Sequence, residues 1–307
     1  MSCLIDRSMI YITGKGGVGR STVATAVAIA AGRAGKRVVI VEVGSRDKTP
    51  GTTPEPTGID NLWTLTIDPQ GALEEWLSAL IGSQTLAGML SKSNTFAYFV
   101  AAAPGVRELV TLTKAWELSR QKARDQSTAP FDLVIVDGGA SGHGLGMLRT
   151  PQTYAEIARI GPISTQATRV KEFLSDPDAI GYIAVARPEE TPISETLELE
   201  EALLAQLDRA FDVIIVNGVL PRQMTRADLH AIEEASAAPL SADARAAIAT
   251  ARTKAGWRQS QMAQISRLRG ATKSSVATLA FIGGTDLGLK ECGELSLRLP
   301  AVVVGAK

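Results

Sequence analysis

The chain has 307 residues, 45% of them hydrophobic, and its 32 Lys and Arg residues balance its 32 Asp and Glu residues. This length and apolar content are enough for the core of one large α/β domain over residues 1–307. The balanced charge gives no basis for an extended contact with nucleic acid. No apolar run reaches the ~20 residues that cross a bilayer, and the first residues lack a signal-peptide core. We therefore expect a cytoplasmic protein with no nucleic acid partner and no integral membrane segment.

A glycine-rich loop follows the first predicted strand. Apolar residues 9–13 predict a β-strand, and the Ala- and Val-rich stretch 23–34 predicts a helix. Between them, residues 14–22 read GKGGVGRST, which fits the phosphate-loop pattern G-x-x-x-x-G-K-[ST] with arginine in place of lysine. Glycines let the backbone direct N–H groups at a phosphate, and the helix dipole adds attraction. A turn that binds nothing is the alternative, and the flanking strand and helix disfavour it.

The phosphate-loop pattern assigns a role to each loop position. The nucleotide phosphates, of ATP or ADP, would lie against Gly14, Gly16, Gly17, Val18, Gly19, Arg20, Ser21 and Thr22. The Ser21 hydroxyl would hold Mg²⁺, and the Arg20 cation would reach the β and γ phosphates. Arginine keeps the positive charge, but its planar fork replaces a compact ammonium. Phosphate binding can therefore survive while the geometry that hydrolysis needs is impaired.

Further strands are predicted at 37–43, 62–67, 131–137, 180–186, 211–217 and 276–282, with helical stretches between many of them. This alternation predicts a doubly wound, mainly parallel α/β sheet. Asp137 ends a buried strand, where ligands collect in such sheets, and is expected to orient Mg²⁺ through water. The turn-rich stretch 49–58 predicts a surface loop. Residues 70–125 and 145–176 are largely helical and are expected to form a helical subdomain beside the sheet.

Lys15, directly after the first loop glycine, is the mark of the deviant-Walker-A ATPases, and the chain resembles that superfamily. The residues GGASGH after Asp137 are similar to the D-T-A-P-T-G-H-T-L switch of arsenite-pump ATPases and of the related ATPases that deliver tail-anchored membrane proteins. Residues 104–108 resemble the P-G-x-x-E element of that family, and residues 192–197 resemble its P-x-x-E-T-L helix start. Asn217 resembles the asparagine that contacts adenine. The similarity runs from about residue 9 to about residue 290.

The resemblance implies a P-loop NTPase that binds ATP or ADP with Mg²⁺ and closes as a nucleotide-sandwiching dimer. In such a dimer Lys15 would reach the phosphates bound by the other subunit, in a homodimer or in a heterodimer with a related ATPase. Relatives use the helical subdomain as an apolar groove for a hydrophobic protein client. Here eight apolar residues could line such a groove, but apolar residues at helical spacing are more often ordinary core; they are Leu80, Ile81, Leu86, Met89, Leu90, Phe96, Tyr98 and Phe99.

The chain departs from the family in its switch I segment and in its cysteines. By an ungapped alignment Gly51 occupies the position of the water-orienting aspartate, and Asp47 is the nearest acid. Positioning of a general base contributes ~10²–10⁴-fold to rate, so slow hydrolysis is expected. Cys3 and Cys292 are the only cysteines. They cannot supply the zinc clamp, the arsenite site or the iron–sulfur site of known relatives.

Three functional hypotheses follow. The first is a weakly hydrolysing, ATP-dependent dimeric switch in which Lys15, Arg20 and Asp137 act on the phosphates and Mg²⁺. The second is a binding or regulatory subunit with degraded catalysis, paired with a more complete ATPase. The third is a partition or division-site ATPase, which requires a basic DNA-binding surface or a C-terminal amphipathic membrane helix; residues 299–307 match neither. The four tryptophans (Trp63, Trp76, Trp116 and Trp257) are interpreted as packing residues.

Overall fold

The computed structural model describes residues 3–42, 50–81, 105–120, 130–138, 142–158, 161–235, 240–283 and 287–305. Within these ranges the strands form one sheet in the order β3-β4-β2-β5-β1-β6-β7-β8. They are β1 (Met9–Thr13), β2 (Val38–Glu42), β3 (Glu55–Pro56), β4 (Leu62–Thr66), β5 (Leu133–Asp137), β6 (Ile180–Ala186), β7 (Val213–Val219) and β8 (Ser275–Ala280). All neighbouring strands are parallel except β3 and β4, which run antiparallel.

Helices cover both faces of the sheet. In chain order they are α1 (Arg20–Arg33), α2 (Pro69–Ile81), α3 (Val106–Ser119), α4 (Gly142–Ala158), α5 (Pro162–Ser175), α6 (Glu190–Leu207), α7 (Arg226–Ala235), α8 (Ala242–Ala271), α9 (Leu289–Ser296) and α10 (Ala301–Val304). One apolar cluster joins the sheet to α1, α9 and α10, and a second joins its other face to α2–α6 and the end of α8. Strands buried on both sides need mostly apolar residues, and β1 and β5 are apolar except for Tyr11 and the polar residue that ends each strand, Thr13 and Asp137. The predicted α/β fold with a doubly wound, mainly parallel sheet is confirmed.

The segment predicted as a surface loop contains a short strand. Glu55 and Pro56 pair antiparallel with Thr64 and Trp63 at the edge of the sheet, and Gly51 forms a bridge to the residue after β4. Proline is compatible with an edge strand because it needs no partner for an N–H group there. The composition of this stretch predicts turns, and it gives no sign of the strand pairing.

The helical stretches between β4 and β6 pack on one another, α2 on α3 and α4 on α5. The predicted client groove cannot be compared with the structure, because the side chains that could line it are outside the described part of the chain. They belong to Leu80, Ile81, Leu86, Met89, Leu90, Phe96, Tyr98 and Phe99. The helical subdomain and its groove stay predictions. Within the described residues no helix has both the length and the apolar character needed to cross a membrane.

One packing prediction for the tryptophans is wrong. Trp63, Trp76 and Trp116 pack against the core, whereas Trp257 in the middle of α8 is 62% exposed. The 30-residue helix α8 buries Ile265 and Leu268 near its C-terminal end. The part that carries Trp257 lies outside that contact, which explains why a large aromatic side chain is exposed there.

Candidate nucleotide-binding site

The loop between β1 and α1 has a backbone that only glycine adopts easily. Gly14 has φ +152°, and a Cβ atom there would lie 2.3 Å from the Val185 carbonyl oxygen of β6. Gly19 has φ +91°, and a Cβ atom there would lie 2.3 Å from the Asn217 amide nitrogen. At Gly14 the neighbouring backbone excludes any side chain, whereas at Gly19 the positive φ favours glycine and a Cβ atom would displace the Asn217 amide. The loop is thereby held against the carboxyl ends of β6 and β7.

Asn217 on β7 holds the loop from the side. Its Nδ2 donates a hydrogen bond to the Val18 carbonyl oxygen at 3.0 Å. The structure therefore brings this predicted adenine contact to the loop backbone, and its role toward the base stays a prediction. A hydrogen bond between residues 199 apart in the sequence could not be read from local pattern.

Changing Asn217 to aspartate should weaken nucleotide binding about tenfold, because it removes the donor to Val18 and sets a carboxylate against a carbonyl oxygen. Fluorescence titration with a labelled ATP analogue measures the affinity. Asn61→Asp, at the opposite end of α1, is the matched control and should bind as the wild type does. Unchanged affinity in Asn217→Asp would mean that the bond to Val18 does not support the binding loop.

The first turn of α1 meets the end of β5 at a carboxylate. The Ser21 hydroxyl donates to Asp137 Oδ2 at 2.5 Å, and Arg20 Nη1 lies 3.9 Å from Asp137 Oδ1. Asp137 is 9% exposed. The meeting follows from the sheet, since β5 lies beside β1 with Asp137 opposite Ile12. The structure thus brings together three of the predicted site residues.

The chemistry of this cluster fits a magnesium-bound phosphate chain. Arg20 Nη1 is buried and, within the described part of the chain, has no hydrogen-bond partner. A buried donor without an acceptor costs ~1–3 kcal/mol, which a phosphate oxygen would relieve. A hydroxyl and a carboxylate supply the hard oxygen atoms that Mg²⁺ prefers. The backbone of residues 14–19 adds N–H groups at the start of a helix.

Lys15 forms an ion pair with a residue outside this cluster. Its Nζ lies 3.0 Å from Glu195 Oε1 on α6, and the two side chains are 36% and 25% exposed. Glu195 is the acid of the P-x-x-E-T-L element. Partly exposed pairs contribute only ~0–1 kcal/mol, so this contact holds the lysine weakly.

The switch I position carries no carboxylate in the described residues. The Gly51 N–H bonds to the Thr66 carbonyl oxygen at 2.8 Å, and the Gly51 carbonyl oxygen accepts from the Asp68 N–H at 2.9 Å. The Asp68 carboxylate accepts from the N–H groups of Gln70 and Gly71 at the start of α2. Asp68 is thus engaged in capping a helix, while Asp47 lies outside the described ranges.

Tyr11 is a polar residue beside the site that the sequence reasoning missed. It is fully buried in β1, and burial raises the pKa of its hydroxyl, with Arg20 acting against the rise and Asp137 adding to it. Its hydroxyl therefore stays protonated at neutral pH. The available signal was a tyrosine within an otherwise aliphatic run of a buried strand.

The remaining predicted elements contribute less to the site. Gly139, Ala140 and Ser141 of the switch segment lie outside the described ranges, as does the side chain of His143. Cys3 and Cys292 are free thiols. Among the residues that the structure describes, no group of three or more His, Cys, Asp and Glu side chains could hold a metal ion.

Comparison with known proteins gives consistent matches over most of the chain. The model of the anion-transporting ATPase family matches residues 7–162 and 156–238. ATPase BagA of Mycobacterium tuberculosis is 29% identical over 234 residues, covering 71% of this chain and 67% of that protein. An arsenical pump-driving ATPase of Escherichia coli is 26% identical over 72% of this chain and 41% of that protein. ATPase GET3 of Candida glabrata is 25% identical over 69% of this chain and 72% of that protein.

Proposed function

We propose, starting from the fact that this chain belongs to the anion-transporting ATPase family, that it is a Mg-ATP-dependent switch that closes as a dimer. The family supports ATP binding and a P-loop site, and its arsenical pump and GET3 relatives carry the name ATPase. The dimer, the use of Mg²⁺ and the coupling to a client belong to the proposal. A hydrophobic protein client held by the helices between β4 and β6 is the extension that the resemblance implies.

One observation carries the proposal more than any other. The Asp137 carboxylate at the end of β5 faces both the Ser21 hydroxyl and the Arg20 guanidinium at the start of α1. A carboxylate, a hydroxyl and a buried cation with an unsatisfied N–H group form an arrangement suited to a metal-bound polyphosphate. Buried polar atoms in ordinary turns are almost always hydrogen-bonded. Arg20 Nη1 has no acceptor among the described residues, so a ligand oxygen at this position would explain the arrangement.

The residues of this chain would act mainly by positioning. The loop N–H groups of residues 14–19 would hold the phosphate oxygens, and Arg20 would offset charge on the terminal phosphates. Ser21 would bind the metal, with Asp137 accepting from its hydroxyl and fixing its direction. Mg²⁺, when bound, neutralises phosphate charge and orients the transferred group. With Gly51 at the position of the water-orienting aspartate, the attacking water would be poorly oriented, so slow turnover is expected.

Lys15 would act on a second protomer. Its pairing with Glu195 is weak enough to be exchanged for a phosphate contact, because charge-assisted bonds to phosphate are the stronger interaction. Both residues lie at the carboxyl edge of the sheet, where the loop opens. A partner that approaches this edge would have access to Lys15, whose side chain is 36% exposed.

Lys15→Ala should weaken Mg-ATP-dependent dimerisation about tenfold, since it removes one charged contact to phosphate. Sedimentation velocity over a protein concentration series, with and without Mg-ATP, measures the dimer constant. Lys36→Ala is the matched control, because Lys36 also forms a surface pair, with Asp6 at 2.9 Å, and lies at the other end of α1. A chain that stays monomeric with saturating Mg-ATP would exclude the homodimer.

A second candidate function is a nucleotide-binding subunit that depends on a more complete ATPase. Arg20 in the lysine position and the engaged Asp68 carboxylate favour it. Steady-state phosphate release by the purified chain distinguishes the two proposals. Turnover that Asp137→Asn abolishes supports the autonomous switch. Nucleotide binding without turnover supports the dependent subunit.

A further inference from the structure

Tyr11 of β1 and Gly138 occupy the same space beside the candidate site. A Cβ atom added at Gly138 would lie 2.6 Å from the Tyr11 hydroxyl oxygen, 2.7 Å from Cζ and 2.9 Å from Cε1. Real Cβ contacts are longer than this, so the tyrosine ring and any side chain at position 138 exclude each other. Gly138 has no left-handed backbone angle to require glycine. Among the described residues, the Tyr11 ring explains why position 138 is a glycine.

The Tyr11 ring cannot easily move aside. It is fully buried and lies 6.1 Å from the Tyr182 ring, tilted by 55°. Tyr182 is in turn fixed by a hydrogen bond from its hydroxyl to the Leu174 carbonyl oxygen at 2.8 Å. Close-packed interiors transmit such displacements to the neighbouring backbone. A side chain at position 138 would therefore shift its own backbone.

The backbone of Gly138 is joined directly to Asp137, whose carboxylate belongs to the proposed metal site. Gly138 follows Asp137 directly, and its N–H donates to the Ile12 carbonyl oxygen of β1 at 2.9 Å. Displacing Gly138 would break this bond and carry Asp137 away from Ser21. The family pattern has threonine after the aspartate, so the glycine in this chain is a departure that Tyr11 accounts for.

We propose that Tyr11 is a positioning residue for the metal site, acting with Gly138 as a sterically matched pair that sets where the chain leaves β5 and thus where the Asp137 carboxylate stands. The proposal rests on the proposed Mg-ATP function. It concerns the metal-dependent part of nucleotide binding and leaves the contact between the loop and the phosphates unchanged.

The test is a double-mutant cycle on nucleotide affinity. Labelled ATP is titrated into each variant with Mg²⁺ and again with EDTA, and the ratio of the two affinities gives the contribution of the metal. Gly138→Ala should lower this ratio about tenfold, as displaced metal-supporting groups do, with affinity in EDTA unchanged. Tyr11→Leu removes the three clashing atoms. The variant that combines Tyr11→Leu with Gly138→Ala should therefore have the same ratio of affinities as Tyr11→Leu alone, within about twofold. Tyr11→Met serves as a second relieving variant if the leucine variant folds poorly.

One control separates positioning from stability. Gly256→Ala adds a methyl group in open space on α8. It should leave the metal ratio unchanged even where the melting temperature shifts. The proposal is overturned if Gly138→Ala weakens binding equally with and without metal, or if neither Tyr11 variant relieves it. Wild-type protein that binds no nucleotide in either condition would reject the proposed function and this proposal together.

Discussion

Asp137→Asn should lower the Mg²⁺-dependent gain in nucleotide affinity by ~10–100-fold, the usual effect of removing a group that supports a metal ligand. The asparagine keeps the size of the side chain but removes the negative charge that faces Arg20, and it replaces one of the two carboxylate oxygens with an amide nitrogen that cannot accept a hydrogen bond. Turnover should fall at least as far, because the metal acts on the phosphate that is transferred. Titration with Mg²⁺ at fixed nucleotide, followed by phosphate-release kinetics, measures both effects.

Asp212→Asn is the matched control for that variant. Asp212 precedes β7 and pairs with Arg7 at 2.8 Å and Arg209 at 3.7 Å, and its carboxylate also accepts from the Tyr182 N–H. Its replacement should destabilise the fold while leaving the metal dependence unchanged. If Mg²⁺ raises the nucleotide affinity of Asp137→Asn and of the wild type by the same factor, Asp137 does not support a metal site.

Arg20→Ala should weaken nucleotide binding by ~10–100-fold, since a charged hydrogen bond to phosphate contributes about 1.5–3 kcal/mol. The same change also removes the cation that lies 3.9 Å from Asp137 Oδ1, so the empty protein should be destabilised as well. Arg20→Lys should keep the affinity and raise turnover roughly tenfold, as a compact ammonium replaces the planar fork. Calorimetry and phosphate release measure the two quantities on the same preparations.

Arg33→Ala controls for the loss of an arginine from the same helix. Arg33 ends α1 far from the loop and donates to the Gly293 carbonyl oxygen at 3.0 Å and to Ser296 Oγ at 2.5 Å. Its removal should lower the melting temperature and leave nucleotide affinity unchanged. If Arg20→Lys does not change turnover, the arginine is not the cause of slow hydrolysis, and the glycine at position 51 becomes the leading explanation.

Strong local patterns account for the parts of the fold that the sequence predicted. Aliphatic runs such as 131–137 mark strands that are buried on both faces, and seven predicted strands correspond to β1, β2 and β4–β8. β3 was missed because two residues are too few for an alternating pattern, and its proline argues against a strand. Trp257 was misplaced because the spacing of apolar residues does not indicate that a helix extends past its contact with the core.

The parts of the candidate site that could be predicted are those in which a functional residue directly follows a predicted strand. The loop and Asp137 each stand at the end of a buried strand, and adjacent strand ends bring them together. The bond from Asn217 to Val18, the pairing of Lys15 with Glu195 and the exclusion between Tyr11 and Gly138 join residues that are distant in the chain. Such contacts depend on three-dimensional packing, which the spacing of residues along the chain does not encode.

Isothermal titration of the purified chain with ATP in excess Mg²⁺ tests the central claim directly. The account predicts a saturable heat with one nucleotide bound per chain, reduced in Arg20→Ala and retained in Arg33→Ala. No heat, together with no displacement of a labelled analogue by unlabelled ATP, would contradict it.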